Sequence, residues 1–215
     1  MTTDTLTASR TVAEPRTHRA RWLALTGVAY AVLQAAGDLT IGPFPEGTTR
    51  PDALVRYYSD NHARVATGGH LLELSAIFLA LFGIAVFSRL RAGGGSGLLA
   101  VTALVGSAMA ALAEGAGGAT YSLLGGIGAD RGLDPVALQA MHANAAEFGT
   151  GTGSIVLLLA VFVASITTHA VPQWLGWPGI VIAVAALPFS PVGFLASLVF
   201  LLWCLVAGVT LAVRR

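Results

Sequence analysis

Four carboxyl side chains lie inside apolar stretches that are each long enough to form a membrane helix. They are Asp38, Glu73, Glu114 and Glu147. A carboxylate at the centre of a bilayer costs on the order of 2.5 to 3.5 kcal/mol of insertion free energy, so such residues usually face the interior of a helix bundle. Because each acid is on a different predicted helix and all are at a similar predicted depth, we expect them to line one cavity.

Helical spacing indicates which polar side chains share a face with each acid. Tyr30 and Gln34 precede Asp38 by eight and four residues, so the three form one stripe along the first helix. The same rule adds one neighbour to each of the other acids, namely His70 to Glu73, Tyr121 to Glu114 and Asn144 to Glu147. We therefore predict a cavity lined by carboxyl, amide and phenol groups.

The chain contains no Lys, and none of its Arg residues falls at the predicted depth of the four acids. Carboxyl groups that are crowded in a medium of low dielectric constant, with no fixed cation beside them, tend to retain protons at neutral pH. Three chemistries remain open to such a site. They are proton donation to a hydrophobic substrate, proton-coupled transport, and metal binding once the acids have lost their protons.

The metal and transport interpretations each lack part of their usual sequence pattern. His70 and Glu73 are three residues apart and form a ligand pair, but the fourth predicted helix has no good counterpart for the second pair of a di-metal bundle. Transporters usually show inverted repeats or broken helices, and neither is clear here. A purely structural polar cluster is the remaining alternative. We expect no cofactor and no bound metal.

Composition identifies the elements that must position these residues. The 215 residues are 55% hydrophobic and only 11% charged, whereas a soluble domain carries roughly 25% charged residues. The sequence therefore predicts an all-α, polytopic transmembrane bundle of six helices over residues 21–215, preceded by a disordered cytoplasmic tail at residues 1–20. The predicted helices run from Trp22 to Phe44, Asn61 to Leu90, Gly97 to Leu124, Pro135 to Thr168, Leu175 to Leu187 and Pro191 to Val213.

The charges and the cysteine content restrict the topology and the classes of partner that the chain can have. With six crossings, eight of the twelve Arg residues lie on the side of the two termini and four on the other side, so both termini are predicted to be cytoplasmic. A net charge of +1 and the absence of any nucleic-acid-binding motif exclude nucleic acid as a partner. Cys204 is the only cysteine, so no intrachain disulfide forms. The expected partners are the lipid membrane and a hydrophobic small-molecule substrate that arrives through it.

Three segments resemble a large bacterial family of six-helix integral membrane proteins whose members are mostly uncharacterised. They are YYSDNHAR at residues 57–64, PQWLGW at 172–177 and FLLWCLVAG at 200–208. Proteins of this kind are similar to the membrane-bound terpene cyclases of indole sesquiterpenoid pathways. That resemblance implies an enzyme that protonates a terminal alkene or epoxide of a prenyl chain, such as a farnesylated indole.

The resemblance gives the candidate residues their expected roles. Glu73 or Glu114 is the expected proton donor, Asp38 and Glu147 adjust its acidity or stabilise positive charge, and His70 is the terminal base. Tyr30, Gln34, Tyr121, Asn144 and Trp203 are the expected substrate-binding residues. No magnesium-binding motif of the cyclases that ionise diphosphates is present, so ionisation of a diphosphate is not expected.

Overall fold

A computed structural model describes residues 15–44, 50–94, 96–127, 134–147, 151–168, 170–187 and 193–213. Within these ranges all regular secondary structure is α-helical, as the composition predicts. The helices are α1 (Pro15–Ile41), α2 (Pro51–Ala92), α3 (Gly97–Ile127), α4 (Pro135–Glu147), α5 (Thr152–Thr167), α6 (Gln173–Ala185) and α7 (Gly193–Val213).

The prediction of six helices is wrong, because the single helix expected from Pro135 to Thr168 is two helices. Helix α4 ends at Glu147 and α5 begins at Thr152, with Gly151 in extended conformation at its N-cap (φ −91°, ψ −170°). Gly151 belongs to a Gly-Thr-Gly-Thr-Gly tract. A glycine in a helix interior costs about 1 kcal/mol relative to alanine, so a tract with three of them favours a break.

Helix α2 begins at Pro51, ten residues before the predicted start at Asn61. The helix has a kink at Asn61, whose backbone angles are not helical (φ −120°, ψ 17°). The Asn61 amide donates to the Tyr57 carbonyl oxygen over 2.9 Å, which satisfies an acceptor at the kink. Helix α1 begins at Pro15 rather than Trp22, and residues 1–14 of the predicted tail lie outside the described ranges.

In the described part of the chain, four helices contain segments that are long and apolar enough to cross a membrane. These segments are Arg21–Ile41, Pro51–Ala92, Gly97–Gly126 and Leu195–Val213. The apolar helices α5 and α6 are shorter, with 16 and 13 residues. At 1.5 Å per residue, the shorter of these two is about 20 Å long, less than a hydrocarbon core of about 30 Å. Together with the scarcity of charge, the four long helices identify a membrane protein.

Six helices form a closed ring in the order α1, α2, α3, α5, α6, α7, and α7 packs back against α1. Helix α4 stands outside this order and packs on α2 and α3. Its side chains Leu138 and Ala145 join a cluster with the first turns of α2 and the end of α3. We call this end of the ring the capped end, and the opposite end, where α1 and α3 begin, the open end.

Glycine residues allow neighbouring helices of the ring to touch. A Cβ atom on Gly68 of α2 would lie 2.9 Å from the Gly37 carbonyl oxygen of α1, and one on Gly208 of α7 would lie 2.9 Å from the Ala24 carbonyl oxygen. Small residues at such crossings let helix backbones approach closely and pack by van der Waals contact. Because Ala24 is near the start of α1 and Gly208 near the end of α7, these two helices are antiparallel and touch near the open end.

Candidate functional site

A cavity of about 600 Å³ lies between α1, α3 and α7 in the half of the ring near the capped end. Leu72 of α2, Ala145 of α4 and residues 42–44 after α1 complete its wall. Most of the lining side chains are apolar. The polar side chains on the wall are Tyr30, Gln34, Asp38, Glu114, Tyr121 and Ser197. The structure thus brings two of the four predicted acids, Asp38 and Glu114, to one cavity.

The polar stripe of α1 faces this cavity along its whole length. Tyr30, Gln34 and Asp38 follow one another by a single helical turn, and all three line the wall. The Tyr30 hydroxyl is buried and donates to Glu114 Oε1 of α3 across 3.5 Å. This contact joins α1 to α3 across the cavity. Glu114 therefore has a hydrogen-bond donor inside the cavity.

Gln34 lies between Tyr30 and Asp38 on the cavity side of α1. Its Oε1 atom accepts a hydrogen bond of 2.8 Å from Ser75 Oγ of α2. Ser75 is fully buried, and sequence reasoning missed it because nothing in an apolar stretch marks a serine as the partner of a residue on another helix.

Phe44 lines the cavity at the capped end, and His142 packs against Phe44. Phe44 lines the wall, stacks on Tyr121 (ring centroids 5.9 Å apart) and meets the edge of the His142 ring at 4.4 Å. His142 Nδ1 forms a buried hydrogen bond of 2.9 Å with the Tyr58 hydroxyl. These contacts fasten α4 to the start of α2. Sequence reasoning missed both Phe44 and Tyr58, whose partners are distant along the chain.

Acidification is expected to loosen α4. Burial lowers the pKa of His142 below its ordinary value of 6.5, so the unfolded chain binds this proton more readily than the folded one. The contribution of neutral His142 to stability is complete above pH 6.5 and falls as the pH drops through that value towards the lowered pKa. Hydrogen–deuterium exchange of α4 should therefore accelerate between pH 7 and pH 5 relative to α5.

The control for that measurement is His142→Asn, which keeps an acceptor near the position of Nδ1 but does not titrate. Its exchange in α4, corrected for the intrinsic rate at each pH, should stay constant over the same interval. An equal pH response in the wild type and in the Asn variant would contradict the assignment to His142.

His70 and Glu73 are placed away from the cavity. They lie in a groove between α2 and α3, where Ser122 Oγ is 2.6 Å from Glu73 Oε1 and 3.1 Å from His70 Nδ1. Their side chains are 69% and 38% exposed. The close crossing of the two helices separates this groove from the cavity, since a Cβ on the cavity-lining Gly118 would lie 2.7 Å from the Glu73 backbone nitrogen.

Two more candidates, Asn144 and Trp203, are also apart from the cavity wall. Asn144 is exposed on α4, and its neighbour Ala145 lines the cavity instead. Trp203 is buried behind the wall, where its indole N–H donates to the Leu175 carbonyl oxygen over 2.9 Å and its ring stacks on Phe200. The side chain of Glu147 lies outside the described part of the structure.

The described residues contain no group of three or more His, Cys, Asp or Glu side chains arranged to hold a metal ion. His70 and Glu73 form a pair whose Nδ1 and Oε1 atoms are 3.4 Å apart. Two ligands on an exposed surface are fewer than the three or four protein ligands of typical zinc sites.

Fold and cavity together define an all-helical membrane protein with an apolar chamber that holds two carboxyl groups. No family model, curated protein or solved structure matches the chain. Fold class does not determine activity in any case, because one architecture supports many chemistries. The function must therefore be argued from the residues of the cavity.

Proposed function

We propose that the chain is a multi-pass protein of the cell membrane with six crossings and both termini in the cytoplasm. In support, α5 and α6 occupy consecutive places in the same ring as the four long helices. Six crossings return the chain to its starting side, and the distribution of Arg residues favours the cytoplasm for that side. The capped end then faces outward, and α4 lies over the outer end of the cavity.

We further propose that the protein is a membrane-bound terpene cyclase in which Glu114 protonates a prenyl or polyene substrate of the farnesyl-indole type. The observation that carries this proposal is the presence of Glu114 on an apolar cavity wall, beside Tyr30 and near Asp38. The volume of about 600 Å³ falls within the range of roughly 300 to 1,000 Å³ found for small-molecule sites.

The chemistry assigns each cavity group a step. The Glu114 carboxyl proton is transferred to a terminal alkene carbon or epoxide oxygen, and the π electrons of the next double bond close the ring. The resulting cation is stabilised by the Asp38 carboxylate and by the faces of Phe44 and Tyr121. Loss of a proton from the last cation forms the product alkene. Because His70 lies outside the cavity, a carboxylate of the cavity accepts this proton, so the reaction has no net proton change.

Incubation of membranes that contain the protein with farnesylated indole and its terminal epoxide tests this proposal. We expect a product of unchanged mass and altered retention time, formed only when the protein is present. In D2O the alkene substrate should gain one deuterium at the carbon that is protonated, as measured by mass spectrometry and NMR. A cyclised product without deuterium would contradict initiation by protonation, and unchanged substrates would contradict the enzyme interpretation.

Proton-coupled transport is the second candidate, and the different exposure of the two carboxyl groups favours it. Asp38 is exposed, whereas Glu114 lies deeper on the same wall and is partly buried. Such a pair can pass a proton between the surface and the interior of the bundle. Proteoliposomes with a pH gradient distinguish the two functions, since a transporter dissipates the gradient when its substrate is added, whereas a cyclase leaves it unchanged.

A further inference from the structure

The cavity reaches the surface of the protein between α1 and α7. Leu39 of α1 and Leu198 of α7 both line the cavity, yet 82% and 44% of their respective surfaces are uncovered by protein. The same two helices touch near the open end, where Gly208 meets Ala24. Helices α1 and α7 are therefore in contact at one end and have the cavity between them at the other.

The rim of this opening suits lipid rather than water. Its two exposed leucines lie on helices that are long and apolar enough to span a membrane. Leu201, one turn further along α7, continues the apolar surface into the cavity. Side chains of this kind on the outside of a membrane helix face acyl chains. A molecule dissolved in the bilayer can follow this surface inward without crossing water.

The wall also restricts the charge of the ligand. Among the described lining residues, no basic side chain accompanies the carboxyl groups of Asp38 and Glu114. The Arg64 guanidinium, which donates to the Ile41 carbonyl oxygen over 2.8 Å, is not one of the lining groups. A phosphate or carboxylate ligand would meet the like charge of the Asp38 carboxylate in a medium where charge interactions are strong. The cavity is therefore suited to a neutral or cationic molecule with a long apolar body.

We propose that the gap between α1 and α7 is a lateral portal through which a neutral, elongated apolar molecule passes from the bilayer to the carboxyl pair. The proposal deepens the proposed function and rests on it for the chemistry at the end of the path. Passage through the portal can be measured without turnover, so failure of the portal and failure of the cyclase assignment are separable.

The test measures how fast a lipid-dissolved probe reaches a cysteine inside the cavity. The background carries Leu201→Cys as the target and Cys204→Ala to remove the native thiol. The probe is N-dodecylmaleimide in phosphatidylcholine vesicles. The double substitution Leu39→Trp and Leu198→Trp places two indoles at the opening and should lower the labelling rate about tenfold or more. A tenfold lower rate requires only a small increase in the activation barrier for entry.

The matched control places the same indoles on the same helices away from the cavity. Val32 and Leu202 are 56% and 57% exposed and are not cavity-lining residues, so Val32→Trp with Leu202→Trp should change the rate less than about twofold. Equal rates in the two double variants would overturn the portal. Equally fast labelling of the background protein by a charged, membrane-impermeant maleimide would also overturn it, because the opening would then face water.

A second measurement does not require the double variant to fold. The fluorescence of the indole introduced by Leu39→Trp alone, taken as the difference from wild type, should be quenched by phospholipids brominated in the acyl chain. Absence of quenching at this position, with quenching at Val32→Trp, would contradict contact between the rim and lipid. If labelling obeys the portal prediction but no polyene is cyclised, the portal stands and the cyclase proposal fails.

Discussion

Glu114→Gln is expected to lower the rate of polyene cyclisation by roughly 10² to 10⁴-fold, the usual contribution of a positioned general acid. Glutamine keeps the shape of the side chain and can still accept from the Tyr30 hydroxyl, which lies 3.5 Å from Glu114 Oε1. It cannot supply a proton of carboxyl acidity. Substrate should still bind, because the walls of the cavity are unchanged. The measurement is product formation per unit time, alongside retention of a labelled, non-cyclisable analogue by the membranes.

Glu73→Gln is the matched control, since both residues are membrane-helix glutamates and both are candidates for the proton donor. Glu73 lies in the groove between α2 and α3 with Ser122 and His70, outside the set of cavity-lining residues. Its substitution should change the rate less than about threefold, as expected for a group that makes no contact with the transition state. A large loss with Glu73→Gln and none with Glu114→Gln would reverse the assignment of the donor.

The transport interpretation gives a different outcome with the same two variants. If Glu114 carries a coupled proton, Glu114→Gln should abolish the dependence of uptake on the pH gradient while exchange of substrate between the two sides continues. No cyclised product would form in either variant or in the wild type. The same two substitutions therefore distinguish an acid that donates its proton to the ligand from an acid that binds a proton coupled to transport.

The side chains of α1 show how far helical periodicity can reach. Tyr30, Gln34 and Asp38 are spaced by four residues, which fixes them on one face of any regular helix. Polar side chains that face lipid cost free energy, so this face of the helix is expected to turn towards the interior of the bundle. Glu114 and Tyr121 of α3, seven residues apart, obey the same rule and line the same cavity. The periodicity of each helix taken alone is therefore enough to predict that these residues face the cavity.

Glu73 shows where that reasoning ends. Periodicity places it on one face with His70, but the rotation of α2 relative to α3 depends on their crossing. Gly69 and Gly118 set that crossing, because a Cβ on Gly118 would lie 2.9 Å from the Gly69 carbonyl oxygen. The resulting rotation turns Glu73 towards Ser122 and away from the cavity. No single-helix pattern contains this information.

Hydrogen-bond partners that are distant along the chain could not be predicted from the sequence for the same reason. Ser75 and Gln34 are 41 residues apart, and Tyr58 and His142 are 84 residues apart. Each pair joins two different helices, so it forms only after those helices have packed. The division of the predicted fourth helix was more accessible, because the glycine tract that ends at Gly153 marks it in the sequence. Such a tract fits close packing as well as a break, and Gly153 does pack against Gly106.

Adjacent glycines near the end of α3 provide the second prediction, in which two identical substitutions act in opposite directions. Gly125→Ala is expected to destabilise the protein by about 1 to 3 kcal/mol, the usual cost of overpacking. A Cβ on Gly125 would lie 2.7 Å from the His62 carbonyl oxygen and 2.9 Å from Ala66 Cα. These are atoms of the α2 backbone, so relief requires the two helices to separate.

Gly126→Ala is expected to be neutral or stabilising by a few tenths of a kcal/mol, because alanine favours the helix more than glycine does. A Cβ on Gly126 would meet no atom within 4 Å. Its backbone is not in the left-handed region, which among the described glycines is occupied by Gly42 and Gly94. The two variants carry the same substitution at adjacent positions of one helix. The difference between them is the contact with α2.

Reversible unfolding in mixed detergent micelles measures the free energy of unfolding of both variants against the wild type. The Gly125 variant should also release Ser122 from Glu73, since their 2.6 Å hydrogen bond spans the same crossing. Equal stability of the two variants would show that α2 and α3 are not in backbone contact there. The same crossing continues to Gly118, which separates the groove of Glu73 from the cavity, so equal stability would weaken the structural reason for placing Glu73 outside the cavity.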